Sequence, residues 1–152
     1  MHSADNRSMG ALASWWYAFA AALQFLTRIP IPVRTPHDDV VFRRSTVLYP
    51  AAGLVIGGIV AGAAYGLSFV FPVYVNAALV LIVWTALSGG LHLDGLMDTA
   101  DGLLSHRSRE RMLEIMKDSR VGAMGVIAAV LCLLLKLMLL LHMTGGVRLA
   151  DG

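Results

Sequence analysis

Residues 45–91, STVLYPAAGLVIGGIVAGAAYGLSFVFPVYVNAALVLIVWTALSGGL, contain no charged side chain. A single helix of that length would run to roughly 70 Å, more than twice a hydrocarbon layer of roughly 30 Å, so the run has to fold back on itself. Phe71-Pro72-Val73-Tyr74-Val75-Asn76 offers the break, because proline removes a backbone donor and aromatic side chains settle at membrane edges. The run therefore reads as two membrane helices, about Val47 to Val70 and about Val73 to Gly89. On the first, Gly53 and Gly57, then Gly58, Gly62 and Gly66, recur at fourfold spacing, which predicts a seam where a neighbouring helix comes close. A phosphate-binding loop is a poorer reading of these glycines, since no strand or basic residue accompanies them.

The composition agrees. With 57% hydrophobic and 14% charged residues, the 152-residue chain is too apolar for an ordinary soluble domain and reads as one integral membrane domain over residues 1–152. Its net charge of +2 is small and its basic residues sit in short connecting segments, which argues against nucleic acid as a partner. Cys132 is the only cysteine, so the chain holds no internal disulfide and no zinc site built on cysteines; it reads as a small buried apolar residue.

Upstream of the hairpin, Met1 to Gly10 are polar and suggest no chemistry. Ala11 to Leu26 is apolar but marginal in length for a span, and either crosses obliquely or lies in the interface. Arg7 ahead of it raises the question of a signal peptide, but Trp15, Trp16 and Tyr17 crowd its middle and fit an interfacial anchor better. Thr27-Arg28-Ile29-Pro30-Ile31-Pro32 must be extended, and a connection follows to Arg43 and Arg44.

Downstream, the first charges to appear are Asp94, Asp98 and Asp101, in the stretch GGLHLDGLMDTADG, residues 89–102. On a helix, offsets of four and seven residues place the three carboxylates within roughly 60° of one another. Crowded like charges need a partner, and three hard oxygen ligands suit magnesium or manganese rather than zinc. Magnesium held by a few carboxylates ordinarily bridges to substrate phosphates, which points to transfer at phosphorus. Gly95 and Gly102, each directly after an aspartate, would let a bulky substrate approach the backbone. Asp118 and Arg120 could add a carboxylate and a phosphate contact, and His92 or His106 a general base.

Residues 105–120, SHRSRERMLEIMKDSR, predict an amphipathic interfacial helix with Ser108 as N-cap, Glu110 in the first turn and an apolar stripe of Met112, Leu113, Ile115 and Met116. Val121 to Met143 is long enough to span, interrupted only by Lys136, and Thr144 to Arg148 reads as a loop. The turn at Pro72 carries no charge, whereas Arg28, Arg34, Arg43 and Arg44 lie on one side of the hairpin and Arg107, Arg109, Arg111, Lys117 and Arg120 on the other. By the positive-inside rule both basic segments, and the aspartates with them, face the cytoplasm. The expected fold is all-α: a polytopic membrane protein of about three to four membrane helices plus the interfacial helix.

The run GGLHLDGLMDTADGLLSHRSRERMLEIMKDSRVGAMG, residues 89–125, closely resembles the signature of the cobalamin synthase family, the adenosylcobinamide-GDP ribazoletransferases, and FLTRIPIP, residues 25–32, resembles that family's opening pattern. The resemblance implies a multi-pass inner-membrane enzyme of a bacterial or archaeal cell. In it, a hydroxyl of alpha-ribazole or its 5'-phosphate attacks the cobinamide-linked phosphate of adenosylcobinamide-GDP, expelling GMP. It also implies a magnesium requirement, met by Asp94, Asp98 and Asp101. Family members are longer, with further membrane helices that contribute to the substrate cavity, so the resemblance is to the N-terminal part of such an enzyme. A dimer in which each chain completes the other's cavity is left open. Rival readings are another magnesium-dependent membrane transferase, either like the CDP-alcohol phosphotransferases or like the aspartate-rich prenyltransferases, and a noncatalytic membrane subunit or cation-binding transport segment. The first two have differently spaced aspartates, and the third would need a polar path that the flanking helices do not supply.

Overall fold

The computed structural model describes residues 11–35, 39–118 and 120–150, all helix and connection with no strand among them. The polar stretch Met1 to Gly10 lies outside the described residues. The chain divides between Ile59 and Val60 into two compact units, with helix α3 (Tyr49–Ser68) belonging in part to each.

The first unit is built on α1 (Ala11–Leu26), α2 (Asp39–Val47) and the beginning of α3. Small residues let α1 pack closely: Ala18, Ala20 and Ala22 are buried. Arg44 holds α2 to α1, its Nη1 donating to Ser14 Oγ at 2.6 Å while the guanidinium lies 5.1 Å from the centroid of Trp15. The proline segment has no regular secondary structure and turns at Pro32, where the Val33 N–H donates to the Ile31 carbonyl at 2.8 Å, and Gln24 holds it by donating from Nε2 to the carbonyls of Ile31 and Val33, at 3.1 and 2.8 Å. One helix was not expected. What reads as a plain connection before Arg43 contains α2, whose sequence places Asp39 in the first turn and Arg44 in the last, each matched to the helix dipole.

The second unit holds the rest of α3, α4 (Val73–Ser88), α5 (Leu91–Leu103), α6 (Arg109–Ile115) and α7 (Ala123–Ala150). Pro72 is the N-cap of α4, and Asn76 one turn on donates from Nδ2 to the Ala64 carbonyl of α3 at 3.0 Å. α4 packs on α7, and α5 packs on both α7 and α6. Two helices, Tyr49–Ser68 and the Ala123–Gly145 part of α7, are long and apolar enough to cross a membrane; counting α4 with α5 as one broken span makes three, and α1 is a shorter apolar helix. The molecule is thus the all-α polytopic membrane protein that the sequence predicts.

Two expectations are corrected. The glycines of α3 do not form a filled seam: among the described residues nothing stands within 4 Å of a Cβ built at Gly53, Gly57, Gly58, Gly62 or Gly66. Close backbone approach falls at Gly102, Gly122 and Gly125, where an added Cβ would overlap neighbouring atoms. The supposed loop Thr144 to Arg148 continues α7, and Thr144 Oγ1 donates back to the Leu140 carbonyl at 2.7 Å, so its hydroxyl is satisfied inside the helix.

Candidate active site

Gly89 and Gly90 both take left-handed backbone, with φ of 62° and 73°, and α5 leaves α4 at 84°. Their amide groups close α4, Gly89 N–H donating to Ala86 and Gly90 N–H to Thr85, and the Gly90 carbonyl opens α5 by accepting from Asp94. The aspartate stretch is therefore helical, but it does not prolong the span that precedes it.

On α5, Asp94 and Asp98 lie one turn apart on one face, Asp94 exposed and Asp98 half-buried. No other described side chain bonds either carboxylate. Like charges at this spacing repel by a few tenths of a kcal/mol, roughly 0.2–0.5, which a cation would reverse. His92 and Gly95 are exposed on the same helix, and the space beside Gly95 is open.

Asp101 does not join the pair. Its Oδ2 accepts the Gly122 N–H and its Oδ1 the Gly125 N–H, both at 2.7 Å, so both oxygens serve the first turn of α7. Among the described residues no three His, Cys, Asp or Glu side chains come together as a metal-holding group. The three-carboxylate set expected from spacing is thus reduced to two, since helix geometry aligns the Cα atoms but the packing of α7 claims the third side chain. Two carboxylates fit magnesium, which is held by one or two and fills its remaining positions with water and phosphate oxygens.

Gly102 is buried, and the room beside it is taken by Met116: a Cβ there would stand 2.6 Å from Met116 Cγ. Its lack of a side chain serves helix packing. Ser108 caps α6 as predicted, accepting the Arg111 N–H, and Arg111 pairs with Glu114 at 2.5 Å. Glu110 in that first turn is held below the usual carboxylate value by its own backbone N–H and by the Ser108 hydroxyl. His106 sits in left-handed backbone with φ of 51°, exposed at the α5–α6 connection.

Beyond α6, Asp118 and Arg120 form a forked pair, with Arg120 Nη2 2.7 Å and Nε 3.1 Å from Asp118 Oδ2. The Arg120 hydrogen bonds, first from its side chain and then from its N–H, hold the Asp118 carboxyl below its ordinary value, and the same pairing raises Arg120. The Arg120 side chain nevertheless remains 88% exposed, free to meet an anion on its other edge.

Gly122 and Gly125 are the site's unforeseen members. The signal was present: Arg120-Val121-Gly122 gives α7 no Ser, Thr, Asp or Asn with which to cap itself, so an acceptor has to come from elsewhere.

The chain matches the family model described as cobalamin-5-phosphate synthase (CobS) over residues 18–150. It is 45% identical over 139 residues to an adenosylcobinamide-GDP ribazoletransferase of Roseiflexus sp. (strain RS-1), covering 90% of this chain and 52% of that protein. Similar enzymes of Brevibacillus brevis (51% identical) and Desulfitobacterium hafniense (52% identical) align over 78% of this chain and 48% and 47% of their own lengths. The chain spans about half the length of the curated relatives it matches. No solved structure matches it. With the aspartate helix, the proline segment and the membrane helices all inside the matched region, the chain belongs to the cobalamin-5-phosphate synthase family.

Proposed function

We propose that this chain carries the acidic, membrane-embedded part of an adenosylcobinamide-GDP ribazoletransferase working at the cytoplasmic face of a bacterial or archaeal inner membrane. A hydroxyl oxygen of alpha-ribazole, or of its 5'-phosphate, bonds to the phosphorus attached to cobinamide. The bond from that phosphorus to the oxygen bridging to GMP breaks, GMP leaves with that oxygen, and the hydroxyl proton passes to a base.

The observation that supports this reading most directly is the Asp94–Asp98 pair: two carboxylates one turn apart, exposed or half-buried, with no cationic side chain bonded to either among the described residues. They are the residues that would hold Mg2+. When bound, that ion supplies Lewis acidity at a phosphoryl oxygen and offsets charge on the departing phosphate. Arg120, held in orientation by Asp118, would bind a diphosphate oxygen. His92 is the proton acceptor in this reading, although its two-residue offset turns it to a different face of α5 from Asp94. The names of the relatives supply the substrate.

The test uses the full-length form of a relative carrying Asp94→Asn or Asp98→Asn at the matching positions. Magnesium-dependent GMP release should be lost while membrane insertion is retained; unchanged turnover in both variants would overturn the metal site. Restoration of cobalamin formation in cells lacking the synthase, by this chain with and without the remaining length of a relative, tests which part suffices.

A further inference from the structure

We propose that Asp101 is a positioning residue, a two-pronged cap reaching from α5 to the start of α7, and that metal binding on α5 is confined to Asp94 and Asp98. The second half of this statement rests on the magnesium reading above; the first stands on geometry alone.

α7 begins at Ala123, and the Gly122 carbonyl accepts its first backbone bond from Val126, at 3.2 Å. Gly122 is thus the N-cap and Gly125 the third helical residue. These are the two N–H groups that a capping box satisfies with local side chains, but here neither position has one. Asp101 supplies both acceptors from a separate helix, one oxygen to each, at 2.7 Å. A carboxylate beside the positive end of a helix dipole is favourable in its own right. A hydrogen-bonded carboxylate can still ligate a metal, but here the half-buried Asp101 carboxylate faces the α7 backbone, and among the described residues no three acidic groups come together.

The glycines confirm how tight the fit is. A Cβ at Gly122 or at Gly125 would overlap the Asp101 carboxylate, and at Gly125 it would also stand 3.0 Å from the Met97 carbonyl. The next residue, Gly102, receives Met116 at the end of α6. The dipeptide Asp101-Gly102 therefore anchors both ends of the connection that carries Asp118 and Arg120: Met116 is seated at one end and Gly122 at the other.

The experiment measures two independent properties of the full chain in detergent: melting in the presence of a chelator, and Mn2+ binding followed by electron paramagnetic resonance. Asp101→Ala should lower the metal-free melting temperature by about 3 °C or more, and Asp101→Asn, which keeps one acceptor, should recover part of that loss. Both should retain Mn2+ binding. Asp94→Asn should do the reverse, losing Mn2+ while melting as the parent does or slightly higher. Gly125→Ala should be destabilising in the parent and less so with Asp101→Ala, because the overlap with the carboxylate disappears and only the contact with the Met97 carbonyl remains. The proposal is overturned if the Asp101 variants lose Mn2+ as Asp94→Asn does and leave metal-free melting unchanged, or if Gly125→Ala and Asp101→Ala are additive. Should Asp101→Ala not fold, Asp101→Asn and Gly125→Ala still separate the two roles. Failure of every form, parent included, to bind Mn2+ would remove the magnesium reading, and the melting data would decide the cap alone.

Discussion

The Lys136 ammonium of α7 stands 4.5 Å from the centroid of the Trp84 ring of α4, so a cation inside an apolar segment is met by an aromatic face. Such a contact contributes about 0.5–1 kcal/mol where solvated and about 2 kcal/mol where it is not. Replacing Trp84 by leucine leaves the charge without that face and should cost about 1–2 kcal/mol, whereas Lys136→Met removes the charge itself and should cost less. In a double-mutant cycle read by denaturation in detergent, the two should couple; additive losses would show that the contact contributes nothing.

Gly90 should not tolerate a side chain, although the space beside it is empty. With φ at 73°, alanine there would cost about 1–2 kcal/mol of backbone strain. Gly95, equally open but inside α5, should respond in the opposite sense, Gly95→Ala gaining about 0.5–1 kcal/mol. Melting temperatures of the two variants should therefore move apart, and parallel shifts would contradict the geometry.

Acid should loosen the Asp118–Arg120 fork. Because the folded state holds the Asp118 carboxyl below its ordinary value, through its hydrogen bonds from Arg120, the fork contributes stability above the unfolded carboxylate value of about 4 and loses it as pH falls through the lower folded value. The Arg120 amide, which donates to Asp118 Oδ1 at 3.1 Å, reports this directly. Its chemical shift should stay constant from neutral pH down to about 4 and change only below that. In Arg120→Ala the Asp118 titration should move up toward the ordinary value.

Ser108→Ala should fray α6. The Ser108 hydroxyl accepts the Arg111 N–H, and losing a cap of this kind costs about 0.5–2 kcal/mol, at the low end here because the helix is exposed and short. Hydrogen exchange at the Arg111 amide should quicken, with little change at amides of α7. Ser108→Asp should preserve protection.

The parts of this architecture that depend on composition and punctuation were legible in the sequence. Pro72 breaks the uncharged run where expected, Ser108 caps α6, and the apolar stretch Ala11 to Leu26 is one helix. What could not be read is which helix faces which. The glycines of α3 have the spacing of a packing seam, but spacing records only the capacity for close approach, and α4 finds its neighbour in α7. Asp101 shows the same limit at the scale of one side chain. Its position on the stripe with Asp94 and Asp98 follows from helical periodicity, whereas its hydrogen bonds depend on a helix that begins more than twenty residues later. α2 is hidden for a different reason: the charges that match its dipole, Asp39 and Arg44, are equally what a polar connection contains.

The bend at Gly89–Gly90 makes the length of α4 a setting of direction rather than of depth. Were α5 collinear with α4, an added residue would merely push the aspartates farther along the same axis. Because α5 departs at 84°, each residue inserted into α4 swings it about 100° around that axis, as a crank turns with its shaft. Insertions of roughly a full turn would bring Asp94 and Asp98 back near their original bearing, and intermediate ones would aim them elsewhere.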